Sequence, residues 1–167
     1  MRTGSAEQPG TPGQWVLLSY RLPREPSTPR ISVWRKLKRL GVAQISDGLV
    51  ALPADARTRE HLDWIADEVL RAGGTAMIWL AQPGSLGQER ALAQGMADAR
   101  AAEYARVLAE AERAAGRSDA DRQNAMRKLR AELRRIHRRD YFPPPERTAA
   151  GRAVAALHPD HAQEETA

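Results

Sequence analysis

The sequence predicts an α+β protein: a ferredoxin-like β-α-β-β-α-β sheet domain followed by a C-terminal helical hairpin. Three observations predict it. Short β-prone runs alternate with amphipathic stretches in that order over residues 15–82. Two of the runs flank Asp47-Gly48, a hairpin signal. Past Gly87 the pattern changes to long alanine-rich stretches of helical character. Right-handed crossovers then place both helices of the first part on one face of a four-stranded antiparallel sheet.

Each element follows from local chemistry. "WVLLSYRL", Trp15–Leu22, is apolar and β-prone and reads as a buried strand. "PREPSTP" is a loop, after which Thr28 is a candidate cap, Pro29 suits a first helical turn and Gly41 suits the end. "VAQIS" and "LVALP" are two short strands about the Asp-Gly turn. Asp55 or Thr58 starts a second helix whose apolar face is Leu62, Ile65, Ala66 and Val69, and Gly73-Gly74 stops it. "TAMIWLAQ" is the fourth strand. Residues 88–115 and 120–139 are two helices joined by "GRSDAD", "FPPP" ends the second, and Glu146–Leu157 forms a short last helix. Trp15, Trp34, Trp64 and Trp79 each fall within an element, so most are expected to anchor the core. The organisation read from this is a disordered leader over 1–14, the sheet domain over 15–84, the helical extension over 85–158 and a disordered tail over 159–167.

Composition narrows the function. The 167 residues carry a formal charge of +5, which favours acidic partners such as nucleic acid or small oxyanions. There is no cysteine, which excludes disulfides, thiolate metal sites and cysteine catalysis and fits a cytoplasmic home. The leader has no apolar core of a secretory signal, and no run approaches the ~20 apolar residues of a membrane span, so no membrane partner is expected.

The charge is concentrated on two helices. In "STPRISVWRKLKRLG", winding at about 100° per residue puts Ile31, Val33, Trp34, Leu37 and Leu40 on one half. Arg35, Lys36 and Arg39 fall on the other, with Lys38 at the border. Arg30 sits in the first turn, where its side chain leans toward the helix start. With Thr28 it forms a candidate anion site. The competing reading pairs Arg30 with Asp47 or Glu25. On the fourth helix, Met126, Leu129, Leu133 and Ile136 form an apolar seam. Arg127, Arg130, Arg134 and Arg138 line one flank; Lys128, Arg135 and Arg139 line another. The candidate DNA-binding set is therefore Arg35, Lys36, Arg39, Arg127, Arg130, Arg134, Arg135 and Arg138. The competing reading is a salt-bridged face answered by Asp98, Glu103, Glu110 and Glu112 of the preceding helix.

Catalytic chemistry finds no support. The end of the first strand holds Ser19 and Tyr20 where a metal nuclease of the Cas2 type places an acid, and Asp47 is explained by its turn. His158 and His161 in "HPDH" are a bare pair; no phosphate loop, nucleophile elbow, zinc signature or clear helix-turn-helix occurs. The expectation is no enzyme, no cofactor and no metal.

The stretch Leu22-Pro23, Thr28-Pro29-Arg30, Trp34-Arg35, Leu37-Lys38, Leu40-Gly41, Asp47-Gly48 and Leu52-Pro53 resembles the N-terminal domain of the chromate-resistance regulator family ChrB. Asp140, Tyr141, Phe142 and Pro143 match a later stretch of that family, and the resemblance covers roughly residues 15–157. It implies a chromate-responsive transcriptional regulator with the Cas2-like fold of the middle domain of PaaX-type repressors. It also implies a second, C-terminal ChrB domain beyond this chain, so the chain is expected to act alone or with a separate partner carrying that domain. Three functions follow as alternatives: a DNA-binding module, a sensor of chromate or a similar oxyanion, and an interaction module that forms a homodimer through a sheet edge or docks by its hairpin.

Overall fold

The computed structural model describes residues 12–159. Its elements are β1 (Trp15–Arg21), α1 (Thr28–Leu40), β2 (Ala43–Ser46), β3 (Leu49–Pro53), α2 (Ala56–Arg71), β4 (Thr75–Ala81), α3 (Leu86–Ala115), α4 (Asp119–His137) and α5 (Glu146–Ala155). The strands form one antiparallel sheet in the order β2-β3-β1-β4. The chain divides into two compact units. One holds the sheet, α2, most of α1 and the start of α3 to Ala93; the other runs from Gln94 and includes Arg39–Gly41. Of the expected leader over 1–14 and tail over 159–167, residues 1–11 and 160–167 lie outside the described residues.

In the sheet unit, β1 is central and takes both neighbours: Leu18 stands opposite Val50 of β3 and Ile78 of β4. Val16, Leu18, Val50 and Leu52 are fully buried. Of the apolar half expected for α1, Val33 and Leu37 are buried, whereas Ile31 and Trp34 are 47% and 39% exposed. Both candidate starters of α2 are used: Asp55 Oδ1 accepts from the Thr58 amide at 2.7 Å, and Thr58 Oγ1 accepts from the Asp55 amide at 2.9 Å. This reciprocal cap satisfies two otherwise orphaned donors. The face below it buries Leu62, Ile65, Ala66 and Val69 as the spacing requires.

Gly48 closes the β2–β3 turn with φ of +73°, a left-handed conformation that costs any residue with a Cβ. A Cβ there would also collide with the Tyr20 carbonyl oxygen, and the Gly48 carbonyl accepts from the Tyr20 amide at 2.8 Å. Gly48→Ala is expected to lower stability by about 2 kcal/mol, read as a shift in urea midpoint at unchanged slope.

The expectation for the tryptophans is corrected. Trp15 is buried, with its Nε1 donating to Glu89 at 3.0 Å. Trp34, Trp64 and Trp79 are 39%, 61% and 50% exposed. The reason is positional. Trp79 lies on β4, the sheet edge, while Trp34 and Trp64 sit on the flanks of helices whose buried stripes are filled by smaller residues. Thr28 is also corrected as the cap of α1. The helix begins one residue earlier in role: the Ser27 carbonyl accepts the first bond, from the Ile31 amide at 3.1 Å, and Thr28 is already helical.

In the helical unit, Tyr104, Val107, Ala111 and Ala114 of α3 pack with Met126, Leu129, Leu133 and Ile136 of α4. Ala150 and Val154 of α5 and Leu157 complete the cluster. The seam read from the sequence of α4 is the buried one. Ser118 caps α4, its Oγ accepting from the Asp121 amide at 3.3 Å, and Asp119 and Asp121 occupy the positive first turn.

Candidate functional site

The cations read from the sequence separate into paired and free groups. On α1, Lys36 is tied to Glu68 of α2, which also accepts from Ser32 Oγ at 2.9 Å. The bond from Lys36, ahead of the opposing effect of burial, holds the Glu68 carboxyl below the usual carboxylate range. Arg35 and Arg39 are exposed and make no ion pair among the described residues. Lys38 lies 5.4 Å from the centre of the Trp34 ring, within cation–π range.

On α4 the two flanks differ. Arg135 is bound to Glu132, its Nε donating at 2.9 Å, and Arg139 reaches Glu103 of α3 at 2.9 Å. Two of the three cations on that flank are thus salt-bridged, while Lys128 is exposed and makes no ion pair among the described residues. The other remains open: Arg127, Arg130, Arg134 and Arg138 are all exposed, and none makes an ion pair among the described residues. Arg138 Nε donates only to the Arg134 carbonyl at 3.4 Å, within its own helix. At about 1.5 Å per residue the four span roughly 16 Å along one side of the helix. Asp98 is engaged with Gln94, and Glu103 with Arg100 and Arg139, so neither neutralises this row.

Of the candidate anion pair, Arg30 and Thr28, the structure places only Arg30 at a groove. A groove of about 740 Å³ opens between the first half of α1, the end of β1 and the β2–β3 turn. Arg30 lines it, but Thr28 does not; Ser27 and Arg21 take that place. Neither arginine makes an ion pair among the described residues, so the expected alternative pairing of Arg30 with Asp47 or Glu25 does not form. Asp47 lines the same groove and, after burial, is the second cause that raises the Tyr20 hydroxyl pKa, so Tyr20 stays neutral.

Several of these groups escaped sequence reading. The Arg135–Glu132 pair was signalled by its i,i+3 spacing. Lys36–Glu68 and the joining of Arg21 to Arg30 carry no local signal, because each needs two elements brought together by the fold. No group of three or more metal-ligating side chains occurs among the described residues, and no described helix is long and apolar enough to cross a membrane.

A family model described as the N-terminal part of protein ChrB matches residues 30–121. The chain belongs to this family. Protein ChrB of Cupriavidus metallidurans CH34 is 31% identical over 133 residues, 77% of this chain and 40% of that protein. The chain thus spans well under half the length of that relative. No solved structure matches. The ChrB match includes Arg30, Arg35, Lys36 and Arg39 of α1, and it stops short of the open arginine row on α4.

Proposed function

We propose that this chain is a DNA-binding module of a transcriptional regulator of chromate resistance. The observation that carries the proposal is the row Arg127, Arg130, Arg134 and Arg138, exposed on one flank of α4 without acid partners among the described residues. Like charges at i,i+4 cost a helix a few tenths of a kcal/mol per pair. The negative end of the helix offsets this for Arg134 and Arg138, but Arg127 and Arg130 lie well before the last turn. Folding therefore gives no reason for the whole row, whereas a phosphate backbone does. Arg35 and Arg39 supply two further free cations on α1. ChrB membership supports the chromate-resistance setting, and the β-α-β-β-α-β order with its β2-β3-β1-β4 sheet supports a ferredoxin-like, Cas2-like reading of the first unit. A DNA ligand is consistent with a cytoplasmic location.

Fluorescence anisotropy with a labelled duplex of ~20 base pairs tests this. Four phosphate contacts give a slope of log K against log salt of about −3.6, which is roughly 10²-fold weaker binding at 200 mM than at 50 mM salt. Absence of binding at 50 mM salt refutes the proposal.

A further inference from the structure

We propose that the groove beside α1 binds a small organic anion with a flat apolar body, such as an aromatic carboxylate. The groove's volume of about 740 Å³ falls in the ~300–1,000 Å³ range of small-molecule sites. A bare tetrahedral oxyanion would engage an arginine there and leave most of the space to water. The lining specifies a larger ligand of two parts.

The first part is charged. Arg21 and Arg30 both face the groove, and neither is neutralised by an acid among the described residues. A guanidinium recognises a planar carboxylate through two parallel hydrogen bonds. The groove carries one acid, Asp47, against two arginines, so its field favours an anion. The second part is apolar. Ile31 and Trp34 stand one turn apart on α1, 47% and 39% exposed, directly after Arg30. The helix buries Val33 and Leu37 and leaves these two side chains partly exposed beside Arg30. Together they form a wall on which a ring can lie while its carboxylate meets Arg30. The neutral Tyr20, which also lines the groove, can donate a further hydrogen bond.

Calorimetric titration of the full chain with 2-naphthoate, sulfate, chromate and 2-naphthylmethylamine tests this. Naphthoate is expected to bind at least tenfold more tightly than the other three. Arg30→Gln, at an exposed position, is expected to weaken naphthoate tenfold or more with the thermal midpoint unchanged; Trp34→Ala, which also removes the contact with Lys38, is expected to weaken it by a similar factor. Asp47→Asn removes the opposing acid and keeps a good turn pair with Gly48, so it is expected to strengthen binding several-fold. Three results overturn the inference: no naphthoate binding, equal affinity for sulfate or chromate, or naphthoate affinity untouched by Arg30→Gln. None of them bears on DNA binding, which is carried by different residues.

Discussion

Reversing the open row of α4, with Arg127, Arg130, Arg134 and Arg138 all changed to glutamate, is expected to abolish duplex binding at 100 mM salt. On the proposed reading the row would supply about four phosphate contacts, and losing them would remove about 3.6 from the salt slope. Reversal adds repulsion, so the loss in affinity should exceed 10²-fold. The informative comparison is Arg135→Glu. Arg135 is engaged by Glu132 on the other flank, so changing it disturbs an existing pair and removes no free cation. Its effect on affinity is expected to be less than threefold. Glutamine in place of the four arginines separates folding from binding. It relieves the i,i+4 repulsion, so the helix should hold or gain a few tenths of a kcal/mol while binding still falls. Equal losses from Arg135→Glu and the row would mean that total charge, and not this row, governs the contact.

The second large effect is on stability. Asp140→Ala is expected to destabilise the helical unit by about 3 kcal/mol. Asp140 follows α4, and its side chain is fully buried. Its Oδ2 accepts from the Tyr104 hydroxyl of α3 at 2.7 Å and lies 3.4 Å from the Arg147 guanidinium of α5. One carboxylate thus joins three helices. Removing it leaves a buried hydroxyl without an acceptor and takes the counter-charge from Arg147. For a unit of this size, 3 kcal/mol corresponds to a fall in thermal midpoint of about 12–24 °C. Tyr104→Phe, which keeps the ring and deletes one donor, is expected to cost about half as much. A wild-type midpoint for Asp140→Ala would show that the junction holds nothing.

The same junction predicts an alkaline limit. Burial first, and then the bond to Asp140, push the Tyr104 hydroxyl well above the ordinary tyrosine value of 10.0. Above pH 10 the unfolded chain releases this proton while the folded chain retains it. The unfolded state then binds fewer protons, so stability falls as pH rises through that range. Tyr20, also raised, contributes in the same direction from the sheet unit. Tyr104→Phe should flatten the decline for the helical unit, as followed by urea unfolding between pH 9 and 11.

Local chemistry accounts for much of this architecture. Gly48 after Asp47, the Asp55–Thr58 cap and the apolar rows Leu62–Val69 and Met126–Ile136 appear where their spacing places them. These features are decided within a few residues, by turn geometry, capping and helical period. The direction of the free arginines on α4 is legible for the same reason, since the buried seam sets the opposite face.

What sequence alone determined, then, is the order of the elements, the faces they bury and the flank on which positive charge accumulates. The tertiary structure alone decided which charges stay free and which cations share a groove. Lys36 meets Glu68, Arg139 meets Glu103, and Arg21 joins Arg30 across separate elements. It also left Trp34 and Trp79 at the surface, on a helix flank and on the edge strand β4 of the described sheet. The physical reason is range. Periodicity and capping act over three or four residues, whereas ion pairing and side-chain burial depend on distances that exist only after distant segments have packed.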